Sequence, residues 1–246
     1  MKLTSTDLTN LNNVINVCAL VGIDMLLLDA SSADEPAMLS GINSDRTCVI
    51  ITNDNIPVLD TGSKLALKKL KLLKQRLDLF KTDPQVSVEL KKKPNGDISE
   101  LLIKGTKASS QYRTSPINSV QCPKSIEDTP LKTIKLTREE VTLILNAEKA
   151  MGSKKITIAV KKGTNVTVEL SDGNNDLFSI PLSIAAEDIS DEPQASVISY
   201  FHTDGFSPLV RAAAVENEIV SIDLYEASAK IEVSGYVLTM ICPVDI

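Results

Sequence analysis

An α+β protein of two similar halves, each with two helices packed on antiparallel sheet, is the fold the sequence predicts. Three observations lead there. "KLTSTDLTNLNN" (2–13) returns as "KLTREEVTLILN" (135–146), an offset of 133 residues in a chain of 246. Amphipathic helical stretches alternate with short runs rich in β-formers. A Pro- and Ser-containing stretch, "TSPINSVQCPKSIEDTP" (114–130), reads as an exposed connector near the midpoint. The resulting organisation is a domain over 1–116, a connector over 117–133 and a domain over 134–246.

Taken in order, the first copy of the repeat opens a helix. Thr4 is its N-cap, and Asp7 three residues on supplies the acid of a capping box. Leu8, Leu11, Ile15 and Cys18 then recur at helical spacing and form one apolar stripe. Strands are expected at 23–30 and 46–52, and a hairpin at 86–91 and 99–105 around the turn "PNGD". Between them lies "SKLALKKLKLLKQR" (63–76), read as a helix with Ala66, Leu70, Leu73, Leu77 and Phe80 inside an arc of about 80°. In the second half, Thr137 and Glu140 repeat the capping box, and Val141, Ile144 and Leu145 the stripe. Strands are expected at 155–161, 165–171, 177–183, 218–226, 229–235 and 236–243, with "KKGT" and "SDGNND" as turns. The last helix spans 206–215, capped by Ser207 with Pro208 at its first position.

Composition narrows the function classes. With 43% apolar and 24% charged residues the chain is a globular protein with a core of Leu, Ile and Val. It shows neither a signal-peptide core nor a membrane-spanning run, so an intracellular protein is expected. Cys18, Cys48, Cys122 and Cys242 stand far apart, which suits reduced thiols better than a zinc site or a disulfide framework. "SDGNND" lacks the terminal Glu of a calcium loop, and Asn165-Val166-Thr167 is an accidental sequon in an intracellular chain. His202 is the one histidine. With no phosphate loop and no nucleophile elbow, no enzyme, cofactor or metal site is expected.

Charge is unevenly placed. Lys64, Lys68, Lys69, Lys71, Lys74 and Arg76 fall within 63–76 without an intervening acid, in a chain of net charge −6. The rest of the chain holds 20 positive against 32 negative residues, a remainder of −12. A Lys-rich face alone is an ordinary solvated surface. A helix built only for stability, however, alternates Glu and Lys for roughly 0.3 kcal/mol per pair, and this segment accepts repulsion instead, which a polyanion would relieve.

The duplication, the order of elements, the charge placement and the closing "SGYVLTMICPVDI" together resemble a DNA sliding clamp. The likeness covers the whole chain and is nearer to the two-domain clamps of tailed phages and to proliferating cell nuclear antigen than to the three-domain bacterial clamp. It implies a head-to-tail homotrimeric ring around duplex DNA that tethers the replicative polymerase and confers processivity. A clamp loader would open the ring; a phage clamp would work in the host cytoplasm. An edge strand of one half would pair with an edge strand of the next chain's other half; 109–115 and 165–183 are the candidates.

On this likeness the six cations of 63–76 would meet the duplex, with Lys64, Lys68 and Lys71 facing it and Lys69, Lys74 and Arg76 at the edges of the face. Asn13 and its neighbours Thr6, Thr9, Asn10 and Asn16 would add neutral phosphate contacts. Arg138, Lys149 and Arg211 would serve from the second half, with Lys154 and Lys155 at the rim. Phosphate contacts carry no sequence information, which suits a protein that slides. Partner peptides would dock beside Ile117, Val120, Ile126 and Leu131 of the connector and Pro243, Val244 and Ile246 of the tail. The rival reading is a monomeric processivity factor like those of herpesviruses; gripping DNA without a ring asks for more positive charge than this chain carries. An enzyme is a remoter alternative.

Overall fold

The computed structural model describes residues 2–32, 34–120, 130–160, 165–172, 174, 176–188 and 197–242. The chain divides into two compact units, Met1–Ser44 with Val49–Ser125, and Ile126–Ile246 with Asp45–Cys48.

The first unit runs β1 (Lys2–Leu3), α1 (Ser5–Leu20), β2 (Met25–Ala30), β3 (Met38–Ile42), β4 (Cys48–Thr52), β5 (Ser63–Lys68), α2 (Leu70–Asp78), β6 (Ser87–Lys92), β7 (Ile98–Lys104) and β8 (Ser109–Arg113), ending in a 3₁₀ turn at Ile117–Ser119. The second runs β9 (Lys132–Thr137), α3 (Arg138–Met151), β10 (Lys155–Val160), β11 (Val166–Ser171), β12 (Leu177–Pro181), β13 (Glu187–Asp188), β14 (Val197–His202), α4 (Thr203–Glu216), β15 (Ile219–Leu224), β16 (Ser228–Val233) and β17 (Tyr236–Ile241).

Set side by side, the units repeat one plan. Strand order β1-β6-β7-β8 in the first unit matches β9-β15-β16-β17 in the second, and β4-β3-β2-β5 matches β12-β11-β10-β14. The registered pairs between these strands are antiparallel. In each unit the two helices pack on one another, α1 on α2 and α3 on α4. Thus the twelve-residue repeat marks a duplicated fold, with β13 as an addition beside β9 in the second copy.

Both capping boxes form. Thr4 Oγ1 accepts the Asp7 amide at 3.1 Å while Asp7 Oδ2 accepts the Thr4 amide at 2.9 Å. Thr137 and Glu140 repeat the exchange at 3.3 and 2.7 Å. Leu11, Ile15 and Cys18 of α1 are buried, as are Val141 and Ile144 of α3, while Leu8 and Leu145 are half-buried. The "PNGD" hairpin also forms. Gly96 has φ +89°, and a Cβ there would collide with the Gly62 carbonyl, so only glycine fits.

Two expectations need correction. The segment 63–80 is not one helix: Ser63–Lys68 is a strand, paired with β2 from Ser63↔Ala30 to Lys68↔Met25. The chain turns at Lys69, whose φ of +58° is left-handed, and only Leu70–Asp78 is helical. The alternation Lys64-Leu65-Ala66-Leu67-Lys68 fits period two as well as 3.6, and pairing with β2 decides it. α4 begins at Thr203 instead of 206, so Pro208 lies inside the helix and Ser207, which donates to Glu148 Oε2, is not a cap. The "KLT" of each repeat is strand before cap: β1 and β9 end where the helices begin, and β3 has no counterpart among the expected strands.

Of the cysteines, Cys18 and Cys48 are buried thiols and Cys242 is half-buried; Cys122 lies outside the described residues. The "KKGT" turn also lies outside them.

Candidate nucleic-acid interface

The strand-then-helix geometry redistributes the basic segment. Lys64 lies on β5, and its Nζ sits 2.7 Å from Asp29 Oδ2 on the neighbouring β2. The acid missing from the segment is supplied by the adjacent strand, so Lys64 is not a helix-face cation. Lys68 also lies on β5 and Lys69 at the turn, both outside the helix. On α2 itself Leu70, Leu73 and Leu77 are buried, Lys71 and Gln75 are exposed, and Lys74 reaches Asp78 at 3.4 Å. Arg76 donates to the Gln111 carbonyl and lies over the Tyr112 ring, 5.8 Å from its centroid. Tyr112 in turn bonds the Lys68 backbone, accepting its amide at 3.0 Å. Lys68, Lys69, Arg76 and Arg113 consequently gather round one depression of about 430 Å³ beside β8.

On α1, Thr6, Thr9, Asn13 and Asn16 are exposed, while the Asn10 amide donates to the Ile56 carbonyl at 3.4 Å. Between α1 and the end of α2 runs a groove of about 770 Å³ whose rim carries Thr9, Asn13, Asn16, Lys74 and two cations outside the expected set, Lys2 and Lys81. Lys2 and Lys81 escape a sequence reading because one lies on a two-residue strand and the other past the helix; only the packing of α1 on α2 brings them together.

In the second unit, Arg138 spends its guanidinium on the end of α4, donating to the Ala214 and Asn217 carbonyls at 3.1 and 3.5 Å. Lys149 and Arg211 are exposed on α3 and α4 with no acid in ion-pair range among the described residues, and Glu139 and Asp204 are exposed on the same helices. Lys154 is exposed, and Lys155 covers the Tyr200 ring at 4.0 Å.

The capping acids also tie each helix to a distant loop. Asp7 Oδ1 accepts the Val58 amide at 2.8 Å. Glu140 Oε1 accepts the Ser183 amide at 2.6 Å and its hydroxyl at 2.9 Å. Burial pushes both carboxyls up, but these donors outweigh it and hold Asp7 and Glu140 below their ordinary values.

Of the expected peptide-site residues, Val120 is buried against Leu27 and Ala66, with Ile117 half-buried beside them. Leu131 is half-buried and its amide donates to the Leu224 carbonyl at 2.7 Å. Ile126, Pro243, Val244 and Ile246 lie outside the described residues. The described residues hold no cluster of His, Cys, Asp and Glu able to bind a metal, and none of their helices is long and apolar enough to cross a membrane.

Two units of one plan, each with a helix pair and antiparallel sheets, define the DNA sliding-clamp fold. Among solved structures the chain is similar to proliferating cell nuclear antigen (PCNA) of Entamoeba histolytica, at 16% identity and TM-score 0.62 over 99% of this chain and 97% of that one. It is similar also to A. fulgidus PCNA bound to the C-terminal region of FEN-1, at 13% and 0.65 over 99% and 98%. The PCNA2–PCNA3 complex of Sulfolobus tokodaii matches at 15% and 0.63 over 99% of both chains. No protein-family model and no curated protein sequence matches the chain.

Proposed function

We propose that this protein is a sliding clamp, a non-enzymatic ring of three copies that encircles duplex DNA without reading its sequence and tethers the replicative DNA polymerase. The observation that carries the reading is the duplicated clamp fold holding a cationic α2 on a chain of net charge −6. A body with a −12 remainder cannot grip a polyanion tightly over a broad surface. Topological retention needs only local attraction.

The contacts proposed are Lys68, Lys69, Lys71, Lys74 and Arg76, with Asn13 and its neighbours on α1. Chains would join between β8, which ends one sheet of the first unit, and β12, which ends a sheet of the second. Partner peptides, from the polymerase or a clamp loader, would dock at the connector and tail, in the company of Ile117, Val120, Ile126, Leu131, Pro243, Val244 and Ile246. Such a protein works inside the cell, in the host cytoplasm if its source is a phage.

Light scattering on the purified chain tests the reading. A mass of about 80 kDa, three times 26.6 kDa, is expected. A mass of 26.6 kDa at micromolar concentration would overturn the ring and favour the monomeric processivity factor.

A further inference from the structure

We infer that attraction for the duplex resides in the first unit alone, on the α1–α2 helix pair and the residues that flank α2, and that the equivalent helix pair of the second unit contributes none. The inference deepens the clamp reading and rests on it. The duplication makes the two helix pairs comparable position by position, and their charges oppose. Residues 68–81 carry Lys68, Lys69, Lys71, Lys74, Arg76 and Lys81 against Asp78, and α1 adds only the buried Asp7. In the second unit, α3 and α4 carry Arg138, Lys149 and Arg211 against Glu139, Glu140, Glu148, Asp204 and Glu216. Arg138 is committed to the α4 carbonyls; in the first unit Arg76 is likewise committed to the Gln111 carbonyl and Lys74 reaches Asp78, which still leaves Lys68, Lys69, Lys71 and Lys81.

At the offset of 133, exposed Thr6, Thr9, Asn13 and Asn16 of α1 correspond to Glu139, Thr142, Asn146 and Lys149 of α3. The first groove is rimmed by amides, hydroxyls and Lys2, Lys74 and Lys81, with Asp78 3.4 Å from Lys74. Its counterpart depression beside α3 holds Glu139 and Glu218 with the occupied Arg138. A phosphate backbone finds three lysines against one carboxylate in the first, and one committed arginine against two carboxylates in the second. Lys149 and Arg211, each on a helix that also carries acids, then balance local charge and do not hold DNA.

Anisotropy titrations of a fluorescent 30-base-pair duplex over a salt series separate the units. Replacing Lys71 and Lys81 by Gln is expected to flatten the slope of log K against log salt by roughly one for each phosphate no longer neutralised. Thr6→Glu, which copies the second unit's acid into the first turn of α1 where the helix dipole accepts it, is expected to weaken binding while leaving the fold intact by circular dichroism. Lys149→Gln and Arg211→Gln are expected to leave affinity and slope unchanged. An equal loss from Lys149→Gln or Arg211→Gln, or no loss from Lys71→Gln with Lys81→Gln, overturns the inference. Absence of any duplex binding by the native chain at low salt overturns it too. Retention on closed-circular over linear DNA is read in parallel: titrations as expected with no such retention would discard encirclement and keep the asymmetry.

Discussion

At the scale of single residues, the two capping acids do more than close a helix end. Asp7 and Glu140 each take backbone donors at the cap with one oxygen and a loop amide, Val58 or Ser183, with the other. Their carboxyls are held below the unfolded values of about 3.9 for Asp and 4.3 for Glu. A depressed folded value means stability that is present above the unfolded value and lost as pH falls through the folded one. Asp7→Asn and Glu140→Gln are therefore expected to lower the melting temperature at pH 7 and to make little difference near pH 2, so that the acid limb of the stability curve flattens. Thermal melts followed by circular dichroism across that range check this, and a pH-independent penalty would assign the loss to shape and not to charge. The cap itself was legible because Thr, Asp or Glu, and their three-residue spacing are local. The second role of each acid was not, since Val58 and Ser183 are brought up by the fold. The same distinction explains Lys64, whose partner Asp29 is 35 residues away and becomes adjacent only when β2 and β5 pair.

At the scale of elements, the hairpin and most strands were readable from alternation and turn residues, and the failures were boundaries where two periods compete. "SKLALKKLKLLKQR" holds both a strand and a helix, and the divider is Lys69 at positive φ, a residue type that gives no warning of that conformation. In α4 the Ser207-Pro208 pair reads as a helix start, yet burial of Thr203, Gly205 and Phe206 extends the helix backward over its own proline. An interior proline forfeits a backbone hydrogen bond and costs up to about 3 kcal/mol relative to alanine. Pro208 is half-buried, so its removal opens little space. Pro208→Ala is expected to stabilise the protein by about 1–3 kcal/mol, read as a higher denaturant midpoint at unchanged m-value. A lower midpoint would show that the ring of Pro208 packs for more than the bond it displaces.

At the scale of the whole molecule, duplication was legible from one repeated string, whereas the sheet edges came only as the candidate stretches 109–115 and 165–183, because an edge is defined by what fails to pair. β12 ends its sheet with Leu177 62% and Phe178 38% exposed, and β8 ends another with Tyr112 buried and Ser109, Gln111 and Arg113 exposed. An uncovered apolar edge strand is an aggregation hazard unless another chain occupies it. The contact between β8 and β12 is heterologous, since it uses two different surfaces. This makes a mixing experiment decisive. Gln111→Pro removes an edge donor from β8, and Leu177→Lys with Phe178→Lys makes the β12 edge polar; both sites are exposed, so each variant chain is expected to fold. Alone, each is expected to run at 26.6 kDa. Mixed, they retain one intact pair of edges, β8 of the Lys variant against β12 of the Pro variant, and a species of about 53 kDa, two chains of 26.6 kDa, is expected to form and go no further. A self-complementary contact would give no such rescue, and persistence of the native mass in either variant alone would move the interface away from these edges.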